Sequence, residues 1–126
     1  MSIASIQSKY PSAIWYDSNH GGTNSGTLDN PYTSLDTAMT NASSGGVIAI
    51  LDGTHSEDTQ VTLPKSLTFV GESTAAILST SGSSYGGAIT ARNTAYSIKL
   101  ETLKVYHNST SNTYGLIAAG TVAEQL

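Results

Sequence analysis

The 126-residue chain contains no cysteine, which excludes a disulfide framework, thiolate-bound zinc and a cysteine nucleophile. Charge is also scarce. Only 11% of residues are Asp, Glu, Lys or Arg, against about 25% in ordinary soluble domains, so the surface must consist largely of hydroxyls and amides. Five Lys and Arg against nine Asp and Glu leave a net charge of -4. Such a chain has no phosphate-neutralising face, and neither nucleic acid nor an anionic membrane surface is an expected partner. No apolar run approaches the roughly 18 residues of a membrane-spanning helix, and MSIASIQSKYPSAIWY lacks a basic start followed by a continuous apolar segment. Neither membrane insertion nor signal-directed export is expected. His20, His55 and His107 fall in no HxH or HExxH spacing, so no metal and no other cofactor is expected. No GxSxG elbow accompanies the serines.

What is present argues for a folded domain. Hydrophobic residues make up 38% of the chain and are clustered, whereas disordered chains combine low hydrophobicity with high charge. The length suits one domain. Residues 1–13 read as an arm, either a short helix ended by Pro11 or a segment that packs on a neighbour. A single domain is expected over 14–126. Within it, 14–46 holds an aromatic strand (AIWYD), a Gly-rich loop and a helix that Asn30 caps and Pro31 begins, with Leu35, Ala38, Met39 and Ala42 on one face. Short coils fill 47–126. Eight apolar runs between Val47 and Ala119 read as strands, and Ile48/Ile50, Leu67/Phe69, Ile98/Leu100 and Leu103/Val105 each alternate onto one face.

The corners between these runs decide the expected architecture. VTL-PK-SLTFV and SIKL-E-TLKVY leave one or two residues for a turn, and a hairpin there needs positive-φ residues that Pro64-Lys65 or Glu101 do not readily supply. Pro64 also lacks the N–H that a central hairpin strand would use. The expected fold is therefore all-β, a short right-handed parallel β-helix (solenoid) with an N-terminal capping helix. Three ordered elements carry a resemblance in the same direction: WYDSN with GGTNSGTLDNPYTSLDTAM, then SSGGVIAILDGTHSED, then VTLPKSLTFVGE. Over roughly residues 14–80 the chain resembles the N-terminal cap and first coils of the pectate-lyase-like superfamily of parallel β-helix proteins. The resemblance implies a fold and an elongated flank suited to saccharides or side-by-side assembly, and it implies no activity, because such a fold hosts lyases, hydrolases, tailspikes, adhesins and inert structural proteins.

Residues for catalysis are thin. Arg92 is the lone arginine, and beside Asp52, Glu72 and Glu101 it reads as a solvated corner residue. Glu57-Asp58 reads as a solvated turn. His20 and His55 read as exposed loop residues near the capped end. No catalytic residue is assigned. Tyrosines offer a flat apolar face and a polar tip. Trp15, Tyr16 and Tyr32 are expected to pack the cap, while the later Tyr85, Tyr96, Tyr106 and Tyr114 are the expected binding residues. The combined expectation is a non-enzymatic structural or surface-binding protein at a virion surface or outside the cell. The specific reading is a capsid decoration protein or a tailspike or fibre module, associating as a homotrimer and with other virion proteins, with polysaccharide a further candidate ligand. The alternatives are the N-terminal piece of a polysaccharide lyase or glycoside hydrolase, and a secreted adhesin domain.

Overall fold

The computed structural model describes residues 2–22, 24–57, 61–81, 89–91, 97–108, 117–119 and 123–125. Two seven-residue helices stand near the start, α1 (Ile3–Lys9) and α2 (Leu35–Asn41). The strands are β1 (Ile14–Tyr16), β2 (Gly46–Ile50), β3 (Gly53–Glu57), β4 (Val61–Thr62), β5 (Leu67–Gly71), β6 (Ala76–Ser81), β7 (Ile89–Ala91), β8 (Ile98–Glu101), β9 (Lys104–Asn108), β10 (Ile117–Ala119) and β11 (Ala123–Gln125). All pairings between them are parallel. One principal sheet runs β1-β2-β5-β8, with β11 at its edge, and the other runs β3-β6-β9. β1 and β2 pair directly, with α2 between them in the chain; from β2 onward neighbours within a sheet are not consecutive in sequence, and the chain passes to another sheet after each strand, as parallel pairing requires.

This architecture corrects the expected fold class. The described residues form two principal parallel sheets with two short helices in an alternating, α/β-like arrangement, in place of an all-β parallel β-helix. The remaining strands explain the difference. A closed coil needs a third wall, and β4, β7 and β10 pair over only two or three residues. The run VTL, read as a full strand, supplies just Val61 and Thr62 to that ladder.

Alternation sorts the first sheet into two faces. Ile14, Ile48, Phe69 and Leu100 lie in register and face the main core with Tyr16, Leu67, Leu78 and Ile98. The opposite face carries the register row Trp15, Ala49, Val70 and Glu101, and α1 lies over it, with Ile6 buried against Trp15, Ala49 and Val70. The small Ala49 leaves room for that helix.

The helix expected from Pro31 begins later. Ser34 is its N-cap, with Oγ accepting from Thr37 N–H at 3.4 Å, and Leu35, Ala38 and Met39 are buried against the core. The preceding residues have another task. Trp15 and Asp17 N–H donate to Gly26 and Tyr32 C=O, and Tyr32 N–H donates to Trp15 C=O. The 26–32 segment thus satisfies the outer edge of β1, which would otherwise be open to pairing with another chain. Lys65 closes the far end of α2, its Nζ donating to Ala42 C=O at 2.6 Å and to Thr40 C=O at 3.1 Å, a favourable place for a cation.

Candidate functional site

Two concavities lie at the N-terminal ends of the first sheet's strands. A cavity of about 330 Å³ is bordered by the α1–β1 connection and the α2–β2 connection, with Lys9, Tyr10, Ser12, Asn41, Ser43 and Gly45 on its walls. A second, of about 290 Å³, is lined by Gly45, Ser66, Thr68, Ser97, Ile98 and Lys99. Gly45 borders both, so the two adjoin there as a trough across successive strands. Its position follows from the backbone. Gly45 has φ 79°, a conformation that glycine reaches without strain, and its N–H donates to Ser66 C=O at 2.8 Å. Ser97 N–H in turn donates to Ser66 Oγ at 2.9 Å. The trough's lining mixes hydroxyls and amides with the apolar Pro11, Ala13, Ile14, Ala42, Val47 and Leu67, and the Tyr10 ring stands at one side.

Lys9 and Lys99 meet a single anion. Glu101, 5% exposed, accepts from the Tyr10 hydroxyl at 2.6 Å and pairs with Lys9 Nζ at 3.4 Å and Lys99 Nζ at 3.3 Å. Burial pushes this carboxyl up, and the hydrogen bonds from Tyr10, Lys99 and Lys9 outweigh it, holding it below the usual carboxylate range. Glu101, the single corner residue between SIKL and TLKVY, is covered by α1.

A second polar cluster occupies the opposite, C-terminal ends of these strands. His55 was expected in an exposed loop, yet it is fully buried on β3, in register with Leu78 and Val105. Its Nδ1 lies 3.1 Å from Ser18 N and 2.9 Å from Ser18 Oγ, and Nε2 lies 2.6 Å from Leu51 O. A backbone N–H can only donate and a carbonyl can only accept, so Nδ1 is the acceptor and Nε2 carries the proton. Ser18, His55 and the Asp17 carboxylate, 3.8 Å from Nδ1, are the one serine–histidine–acid grouping among the described residues. Its imidazole is fixed at both nitrogens and has no face to solvent, so it serves as a buried cross-link between β3 and the β1 corner.

The neighbouring carboxylates close turns. Ser73 Oγ donates to Asp52 Oδ1 at 2.7 Å, Asp52 N–H donates to Glu72 Oε1 at 3.1 Å, and Asn19 N–H donates to Asp17 Oδ1 at 3.0 Å. Among the described residues, no group of three or more His, Asp or Glu side chains is placed to hold a metal ion.

Of the expected binding tyrosines, Tyr85, Tyr96 and Tyr114 lie outside the described residues, as does Arg92. Tyr106 is on β9, 56% exposed, in register with Ser79 and Ser56 on the second sheet. It does not line the trough. Tyr10, which does, lies in the segment 1–13 read as an arm and was assigned neither to the cap nor to binding. Trp15, Tyr16 and Tyr32 pack as expected, Trp15 under α1 and the other two against the main core. No protein-family model, curated protein or solved structure matches this chain.

Proposed function

We propose that this chain is a non-enzymatic, surface-binding structural protein of a phage virion, a capsid decoration protein or a tailspike or fibre module, which associates side by side with copies of itself and receives saccharide in the trough. The trough is the observation that carries the reading: two adjoining depressions that present Ser12, Ser43, Ser66, Ser97 and Asn41 among apolar side chains, with one aromatic ring. Hydroxyl and amide walls exchange hydrogen bonds with a polyol, and a tyrosine face accepts a sugar ring. Among the described residues, Ser18, His55, Asp52, Glu72 and Glu101 are each engaged in bonds that hold turns or elements together, which supports the non-enzymatic part. The low charge of the surface supports close packing of copies, because few ions need be desolvated when two such faces meet.

Electrophoresis through gels containing bacterial surface polysaccharides tests the reading. The expected result is retarded migration in at least one gel, with the recovered polysaccharide undiminished in length and no new reducing or unsaturated ends. Shortened chains would contradict the non-enzymatic part, and unretarded migration in every gel would contradict the saccharide part. Sedimentation of the purified chain is expected to show an oligomer.

A further inference from the structure

Helix α1 is joined to the rest of the protein through two anchors and one hinge. The first anchor is apolar, Ile6 buried against Trp15, Ala49 and Val70 with Ile3 packed beside it. The second is polar, the Tyr10 hydroxyl and Lys9 ammonium on Glu101. The hinge is the turn Tyr10-Pro11-Ser12-Ala13, closed by a single hydrogen bond from Ala13 N–H to Tyr10 C=O at 3.0 Å. All four hinge residues border the 330 Å³ cavity, so the turn has open space on one side instead of packed side chains. A helix of seven residues has no stability of its own in water; α1 is helical because it is docked. Its docking site, by contrast, belongs to strands that pair without it.

We propose that α1 is an exchangeable element that docks on the first sheet of a second copy, through the same Ile6 and Glu101 interactions, and so ties copies together side by side. This rests on the assembly reading above and names the element that would perform it. Each interaction made on the neighbour replaces the same interaction at home, so exchange costs only the opened turn and the association itself, which is why swapping an identical element is a low-cost route to oligomers. The hinge is suited to opening. Pro11 disfavours helical backbone at Tyr10, which sits at φ -129°, and four extended residues reach about 14 Å. The partner that this face fits is therefore another copy of the same chain, presenting its own residues 3–10.

Lys9 and Glu101 lie close enough for zero-length coupling by a carbodiimide, which makes the exchange directly readable. The full chain carrying Lys99→Arg, which cannot form the competing amide, is prepared in isotopically heavy and light forms, unfolded, refolded as an equal mixture and coupled. Peptides joining Lys9 to Glu101 are then weighed. Exchange predicts joined peptides that pair one heavy and one light as often as two alike, recovered from an oligomeric fraction. An oligomer whose joined peptides are always both heavy or both light would overturn the exchange while leaving assembly intact. A monomer in sedimentation would overturn both.

Discussion

The Tyr10 hydroxyl donates to Glu101 Oε1 at 2.6 Å, joining residues 91 positions apart in the sequence. With Ile6 it fixes α1 to the outer face of the first sheet and places the Tyr10 ring beside the trough.

Because the Glu101 carboxyl lies below its usual range when folded, its contacts favour the folded state above the ordinary carboxylate pKa of about 4.3, and that contribution is lost as pH falls through the lowered value. Lys9 and Lys99 are 53% and 37% exposed, so water screens both ion pairs. The Tyr10 bond then carries most of an expected contribution of about 1 kcal/mol. Thermal unfolding from pH 7 down to pH 3 should show a loss of stability in the wild type that is smaller in Glu101→Gln. Equal slopes in the two proteins would place the titration elsewhere.

His55→Leu keeps the volume roughly constant and removes the three imidazole hydrogen bonds, leaving Ser18 N–H, Ser18 Oγ and Leu51 C=O without this partner. Unsatisfied groups of this kind cost about 1–3 kcal/mol each when buried, and Ser18 is partly exposed, so urea unfolding should report a loss of about 2 kcal/mol. An unchanged midpoint would mean that the cross-link between β3 and the β1 corner is not structural.

Gly71 and Thr102 should respond in opposite directions. A Cβ on Gly71 would run into the Thr102 carbonyl oxygen, so Gly71→Ala must displace backbone and is expected to cost about 3 kcal/mol. Thr102 is a β-branched residue at φ 49°, a conformation that costs an L-residue about 1–2 kcal/mol. Thr102→Gly should therefore raise the melting temperature by a few degrees, less the added freedom of the unfolded chain.

The inward residues of the first sheet were legible because Ile48/Ile50, Leu67/Phe69 and Ile98/Leu100 alternate without interruption. β3 was not legible. Its inward position at the core is His55, flanked by the outward Thr54 and Ser56, so a buried strand read as a polar turn. The fold class misled for a related reason: short runs separated by tight corners implied a uniform all-β coil, whereas VTL extends the third ladder by only two residues and two helices take part at the start. The trough was invisible because main-chain position at Gly45, Ser66 and Ser97 builds it, and no motif marks serines that line up only after folding. Glu101 read as a corner because nothing in its neighbourhood in sequence announces Tyr10.

Backbone NMR of the chain titrated with a polysaccharide fragment that retards it in gels tests the trough most directly. The account predicts saturable shifts at Gly45, Ser66, Ser97 and Ile98 that Ser97→Trp, which fills the trough, abolishes while leaving the remaining spectrum in place. Shifts confined to residues outside the trough, or undiminished in the filled variant, would contradict it.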